Sequence, residues 1–223
     1  MSTSTPIKPS PEADATATPR KRQLLIGAVL ALVLVAAVVA WALTRGSDET
    51  VPFKDPRATG VLTLCDADGH RVTSGSVKAA PFVARAVGVT PAEGSKAVLA
   101  QTGATLYAYQ PREGLGAGEW SGQQLTADSS FSNASHPIAQ ATTKDGSLQD
   151  FITAFPATWD GLVHLRLYVA SPADGIAASY SAVTVKVSGS TWKVVGKAGT
   201  ASCTAGDATS SETKTLNYPP ATH

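Results

Sequence analysis

The sequence predicts an all-β fold, an antiparallel β-sandwich of about seven strands with one short helix, preceded by a single transmembrane helix. Three observations predict it. One uncharged apolar block occupies residues 24–43, several later runs alternate apolar and polar residues, and turn-forming Gly, Ser and Asp residues separate those runs.

The composition excludes several classes of protein. The chain has 223 residues, which leaves room for one ordinary domain plus flanking segments. Its formal net charge is only +1, which offers no electrostatic support for a nucleic-acid partner. Two cysteines are too few for a disulfide-dense scaffold or a four-cysteine zinc site.

Residues 24–43 (LLIGAVLALVLVAAVVAWAL) contain no charged side chain. As a helix they extend about 30 Å, the thickness of the hydrocarbon core of a bilayer. Arg20, Lys21 and Arg22 precede the block, and basic residues stay on the cytoplasmic side. We therefore predict a single-pass protein of the cell membrane that contacts the lipid bilayer through residues 24–43, with a cytoplasmic N-terminus and an extracytoplasmic C-terminus.

A cleaved signal peptide is the alternative interpretation of this block. The sequence Ala40-Trp41-Ala42 fits the small-x-small pattern, so cleavage after Ala42 would release the remainder of the chain. A cleavable apolar core is typically about 7–15 residues long, and this one is longer. The length favours a signal-anchor.

Composition divides the chain into five predicted regions. Residues 1–22 and 204–223 are poor in large apolar side chains, so we expect a disordered cytoplasmic tail and a disordered C-terminal tail. Residues 23–43 form the transmembrane helix, and residues 44–59 form a linker. Residues 60–203 are the extracytoplasmic β-sandwich.

The clearest strand is residues 163–169. Val163, Leu165, Leu167 and Val169 alternate with polar residues, which predicts a strand with one buried face. His164 and Arg166 lie on the other face, which we expect to be solvated. Further strands are predicted in the ranges 61–65, 71–77, 82–89, 97–109, 180–187 and 191–197, the last two joined as a hairpin.

One helix is predicted over residues 147–155. Leu148, Phe151, Ile152 and Phe155 recur at helical spacing, and Ser147 with Asp150 forms a capping pair. Between residues 111 and 144 we expect long loops and one possible strand.

The run 148–168 (LQDFITAFPATWDGLVHLRLY), with Ser179-Tyr180 and residues 185–188 and 191–194, resembles a group of uncharacterised actinobacterial single-pass membrane-anchored proteins. The resemblance implies an N-terminal anchor and a β-rich extracytoplasmic domain. It implies no activity and no catalytic residue.

The sequence predicts no catalytic residue, metal site or cofactor. Asp66-Ala67-Asp68-Gly69 begins like a calcium loop but lacks the later ligands, which favours a turn. The four histidines show no metal-ligand spacing. Six acids fall near predicted loops: Glu113, Glu119, Asp128, Asp145, Asp150 and Asp160. Five aromatic residues could line a binding face for a ligand that the sequence does not identify: Tyr107, Tyr109, Trp120, Trp159 and Tyr168. Trp159 and Trp192 are equally suited to the core, and for Trp192 we expect that position.

Cys65 and Cys203 are predicted to form a disulfide. They lie at the two ends of the folded region, on the side of the membrane where thiols oxidise. Terminal strands of a sandwich are often neighbours, which would bring the two Cα atoms within bonding range.

These features favour a membrane-anchored extracytoplasmic binding or interaction module, with a protein or a cell-envelope component as its partner. Two alternatives stay open. One is a cell-surface hydrolase that uses loop carboxylates. The other is an accessory subunit of a membrane complex, for which the small residues of the predicted membrane helix permit close helix packing.

Overall fold

The computed structural model describes residues 50–212. The predicted transmembrane helix at residues 24–43 and the N-terminal tail lie outside this range, as does most of the predicted C-terminal tail. Within residues 50–212, no helix combines the length and the apolar character needed to cross a membrane.

The described residues form an all-β structure, as predicted, but from fourteen mostly short strands. In chain order these are β1 Ala58–Val61, β2 Thr63–Cys65, β3 Arg71–Val72, β4 Ser74–Ser76, β5 Arg85–Val87, β6 Gly103–Tyr109, β7 Gly122–Gln124, β8 Ser129–Phe131, β9 Ile138–Gln140, β10 Leu162–Ser171, β11 Gly175–Ile176, β12 Tyr180–Ser188, β13 Thr191–Val195 and β14 Ala208–Ser210.

Ten strands make the larger sheet, in the order β14-β8-β6-β10-β12-β13-β4. β7 pairs with β6, β11 with β10, and β1 runs parallel to the start of β12. Strands β10 and β12 are the longest, and the predicted hairpin of β12 and β13 is confirmed. The smaller sheet has the order β3-β2-β5-β9.

One hydrophobic core contains side chains of both sheets. Val163, Leu165 and Leu167 of β10 enter it, as the alternation predicted. The smaller sheet contributes Leu64 and Ala86. Trp192 also lies in this core, with its ring centre 5.0 Å from that of Phe82, so its predicted position is confirmed.

Two short α-helices interrupt the strands. Helix α1 spans Lys96–Leu99, where a strand was predicted, because Ser95 caps the helix by accepting from Val98 N. Helix α2 spans Leu148–Ala154 and has the predicted capping box of Ser147 and Asp150. A single turn of 3₁₀-helix covers Ala117–Glu119.

The predicted disulfide is present. Cys65 at the end of β2 bonds Cys203, with their Cα atoms 5.9 Å apart. Val87 and Ile138 pack around it in a second small apolar cluster. The bridge therefore joins the beginning of the fold to a segment that follows the last strand of the β12–β13 hairpin.

Ordered structure extends on both sides of the predicted sandwich range. Residues 50–59, in the predicted linker, pack on the larger sheet and lead into β1. Residues 208–210, in the predicted C-terminal tail, form β14 and pair with β8. The segment that precedes β1 positions the candidate site.

Candidate functional site: a buried carboxylate on the sheet

Asp55 is the centre of a polar cluster on the face of the larger sheet that lies opposite the core. Its side chain is only 3% exposed. Its Oδ2 atom lies 2.9 Å from Arg166 Nη2, 3.2 Å from His164 Nε2 and 2.8 Å from the Tyr180 hydroxyl. Its Oδ1 atom accepts from the backbone N–H of Arg57 at 3.2 Å. These hydrogen-bond donors offset the free energy lost when the Asp55 carboxylate is removed from water.

His164 joins this carboxylate to β12. A carboxylate can only accept, so the Nε2 atom of His164 carries the proton that is donated to Asp55. The Nδ1 atom lies 2.9 Å from Thr184 Oγ1 and accepts from that hydroxyl. The two contacts fix the neutral imidazole in one tautomer and one orientation.

Arg166 is buried in a cage of aromatic rings. Its guanidinium carbon lies 4.1 Å from the centre of the Tyr109 ring and 5.2 Å from the rings of Trp120 and Tyr180. The Nη2 atom also donates to the carbonyl oxygen of Ala117 at 2.8 Å. Planar stacking and a forked set of donors suit arginine rather than lysine.

The electrostatics of the cluster favour a charged Asp55 and a neutral His164. Burial alone would raise the pKa of Asp55, but the hydrogen bonds from His164 and Tyr180 and the charge of Arg166 lower it from 3.8 to about 2. Burial lowers the pKa of His164, against the opposing effect of its hydrogen bond to Asp55. Burial and the bond to Asp55 raise the pKa of the Tyr180 hydroxyl.

Strand register places these side chains together. In β10, His164 and Arg166 are two residues apart and therefore point to the same face. Arg166 lies opposite Tyr107 of β6, and His164 lies opposite Thr184 of β12. The sheet thus sets the positions of His164 and Arg166, and the segment before β1 adds the carboxylate of Asp55.

The prediction of a solvated His164 is wrong. His164 is 5% exposed, because the segment around Phe53 and Asp55 covers this face of β10. The centre of the Phe53 ring lies 5.4 Å from the centre of the His164 ring and 4.7 Å from the centre of the Trp120 ring. An alternating pattern shows which face meets the core, but it does not show whether a distant segment covers the other face.

The five aromatic residues predicted to line a binding face all lie around this cluster. Tyr107, Tyr109 and Tyr168 contact one another edge to face or tilted, with ring centres 5.4–6.4 Å apart. Trp120 covers Arg166, and Trp159 contacts Phe53. These rings therefore hold the buried Arg166 and the segment around Phe53, which is a structural role that the sequence did not reveal.

The connected side chains of Asp55, His164 and Thr184 have the order of a carboxylate, a base and a hydroxyl. In a nucleophilic site the hydroxyl donates to the base and faces a substrate. Here Thr184 lies within the sheet and is 4% exposed, so its oxygen has no approach for a substrate. The hydrogen bonds among Asp55, His164 and Thr184 therefore hold the segment before β1 on the sheet.

The six acids predicted near loops have local contacts of other kinds. Asp150 caps α2, Glu119 accepts from Gly116 N, Asp145 accepts from Ala127 N and Thr142 N, and Asp128 accepts from Thr105 Oγ1. Asp160 forms an exposed ion pair with Lys186 at 2.9 Å. Glu113 is exposed. Three of these carboxylates thus satisfy loop or cap donors, and Asp128 accepts from a strand side chain.

The turn between β2 and β3 brings Asp66, Asp68 and His70 close together. Asp66 Oδ1 accepts from the backbone N–H groups of Asp68 and His70, which is the hydrogen-bonding of a turn, as predicted. Asp68 and His70 are exposed to solvent.

A cleft lies beside the hairpin of β10 and β11, and we call it the β10–β11 cleft. It has a volume of about 590 Å³ and is lined by Thr90, Pro91, Glu93, Gly94, Thr102, residues 169–171 and residues 174–179. Smaller clefts of about 530 Å³ and 340 Å³ lie near the disulfide and beside Trp192.

No protein-family model, curated protein or solved structure matches this chain. The geometry of the buried carboxylate and of the clefts is therefore the basis for a functional proposal.

Proposed function

We propose that the protein is a membrane-anchored extracytoplasmic binding module, with its two sheets acting as a rigid β-sandwich platform. The N-terminus is cytoplasmic, residues 24–43 cross the bilayer, and the C-terminal part faces outward. One observation carries this proposal: Asp55, close behind the predicted membrane helix, is buried in the sheet by Arg166, His164 and Tyr180.

The position of Asp55 limits how far the domain can be from the membrane. The predicted helix ends at residue 43, and Val51 already lies against Gly196 of the folded domain. The intervening residues 44–50 span at most about 25 Å when fully extended. A domain attached in this way is held near the bilayer, which suits a platform that presents a surface to a partner.

Two further observations support the same function. The disulfide between Cys65 and Cys203 suits an oxidising extracytoplasmic compartment. The β10–β11 cleft has about 590 Å³, within the range of roughly 300–1,000 Å³ that ligand sites occupy. We also propose that the protein is related to the actinobacterial membrane-anchored proteins that residues 148–168 resemble. Such a relationship agrees with an extracytoplasmic location of the domain.

Protease mapping of the full chain tests the location. With a tag at each end, protease added to intact spheroplasts should remove the C-terminal tag and spare the N-terminal tag. Alkylation of the denatured protein in cell extracts before reduction should label neither cysteine. Digestion of the N-terminal tag alone, or two thiols that label without reductant, would contradict the proposal.

Hydrogen exchange tests the binding function. We expect residues 169–179 of the full chain to exchange more slowly in native membranes than after purification into lipid nanodiscs, because a ligand covers the cleft. The turn at residues 66–70 serves as the internal reference. Equal exchange rates in the two samples at all surface segments of residues 50–212 would contradict a binding role.

A further inference from the structure

The β10–β11 cleft combines an apolar wall with two carboxylates. Val169 and Pro91 line it, together with Ile176 at the tip of the hairpin, which is 64% exposed. Glu93 and Asp174 are both exposed carboxylates in the same lining. The cleft therefore offers apolar contact and negative charge at one place.

Three of the four hydroxyl-bearing side chains of the cleft are engaged by the protein itself. Thr102 Oγ1 donates to Val98 O at 2.8 Å, and Ser171 Oγ donates to Asp174 at 3.2 Å. Thr90 Oγ1 lies 3.1 Å from Ser181 Oγ. The two carboxylates and the Ser179 hydroxyl are the polar side-chain groups left for a ligand.

Neither carboxylate is neutralised by the protein. None of the lining residues is basic, and Arg57, which lies beside the cleft, donates to the carbonyl oxygens of Ala177 and Ala178 rather than to Glu93 or Asp174. Within residues 50–212, Glu93 makes no hydrogen bond or ion pair, and Asp174 accepts only from Ser171. A complementary ligand must carry positive charge.

We propose that this cleft binds a lysine-bearing peptide segment of a partner protein. The ammonium group lies between Glu93 and Asp174, and the aliphatic stem of the lysine with an adjoining apolar side chain covers Val169 and Ile176. The inference rests on the proposed binding function and names the ligand class of its cleft.

The chemistry of the wall favours an amine over a divalent cation. Ca²⁺ takes six to eight oxygen ligands. The cleft offers two carboxylates, and its wall combines proline, valine, isoleucine and alanine side chains with hydroxyl groups that mostly bond within the protein. A lysine uses both properties, because its charged head follows a stem of four methylene groups that packs on apolar surface.

Binding of a defined peptide by the full chain in nanodiscs tests the inference. The probe is a dye-labelled pentapeptide, Ala-Leu-Lys-Val-Ala, with both termini blocked, and fluorescence anisotropy reports its binding. The same peptide with an Nε-acetylated lysine is the matched ligand control. We expect the lysine peptide to bind and the acetylated peptide to bind at least about tenfold more weakly, because the ammonium charge is lost.

Two protein variants locate the binding. Combined Glu93→Gln and Asp174→Asn should weaken binding at least about tenfold. Glu113→Gln removes an exposed carboxylate outside the cleft and should leave binding unchanged. A thermal unfolding curve checks that each variant is folded. We expect this result because Glu93 and Asp174 are both exposed.

Several results would overturn the inference. They are absence of binding at millimolar peptide, equal binding of the acetylated peptide, unchanged binding by the double variant, and displacement of the peptide by millimolar Ca²⁺. None of them bears on the membrane topology, which protease mapping decides separately. A failed proposed function and a failed ligand class are therefore distinguishable.

Discussion

Asp55 and His164 are 109 residues apart in the chain, and their side chains lie 3.2 Å apart, Oδ2 to Nε2, inside the protein. The contact joins the segment that follows the predicted membrane helix to the longest strand of the larger sheet. Because Arg166 and Tyr180 bind the same carboxylate, removal of Asp55 affects β10, β12 and the segment before β1 at once.

Substitution Asp55→Asn should lower the free energy of unfolding by about 3 kcal/mol, because it leaves the buried guanidinium of Arg166 without its counter-ion. Urea denaturation followed by tryptophan fluorescence measures the change. The matched control is Asp160→Asn, which breaks an ion pair whose carboxylate side chain is 61% exposed and should cost less than about 1 kcal/mol. Equal effects of the two substitutions would show that the buried pair has no special role.

Acid should destabilise the fold in two stages. The pKa of His164 is lowered by burial, so the unfolded chain binds a proton near pH 6.5 that the folded chain binds only at lower pH. Stability is therefore full above pH 6.5 and falls as the pH decreases below it. The pKa of Asp55 is about 2 in the folded state against 3.8, so its contribution is lost as the pH falls from 3.8 through about 2.

The histidine part of this pH dependence can be isolated by substitution. His164→Gln should flatten the slope of stability against pH just below pH 6.5. His70→Gln should not, because the His70 side chain is 77% exposed. Unfolding free energies measured at closely spaced pH values give the two slopes, and an unchanged slope in the first variant would contradict a neutral, buried His164.

Loss of the disulfide should destabilise the protein more than loss of any single surface contact. Joint substitution of Cys65 and Cys203 by serine opens a loop with a sequence separation of 138, for which chain entropy gives an upper value of roughly 5 kcal/mol. The cluster of Val87 and Ile138 around the bridge also loses packing. A denaturation midpoint equal to that of the wild type would contradict a stabilising role.

The cap of α2 offers a smaller and more local effect. Ser147→Ala removes the hydroxyl that accepts from Asp150 N, which should cost about 1 kcal/mol. Gln149→Ala, in the first turn of the same helix, is the control and should cost less. Circular dichroism during urea denaturation compares the two, and a larger effect of the control substitution would contradict the capping role.

Local sequence signals predicted much of this fold. The alternation of Val163, Leu165 and Leu167 indicated the core face of β10, and the spacing of Leu148 and Phe151 indicated α2. These patterns are repeated within a few residues, so they depend little on distant contacts. The disulfide was predictable because only two cysteines occur and they lie at the two ends of the folded region.

The buried cluster was not predictable in the same way. Whether His164 and Arg166 face solvent depends on Asp55, which is more than 100 residues away in a stretch that resembles a linker. Two local signals were present. Phe53 is an aromatic residue in an otherwise polar stretch, and β10 places a histidine, an arginine and a tyrosine on one face, which is more polar and aromatic than a solvated strand needs.

Amide hydrogen exchange of residues 57–61, measured on the full chain in lipid nanodiscs, tests the central claim that the segment around Asp55 is part of the folded domain. Arg57 N–H donates to Asp55 Oδ1 at 3.2 Å, and Ala58 N–H donates to Asp55 O at 3.1 Å, so the wild-type protein should protect these amides. In Asp55→Asn the protection of residues 57–59 should fall while that of β2 and β5 is retained. Exchange of residues 57–59 at the unprotected rate in the wild type would contradict the claim.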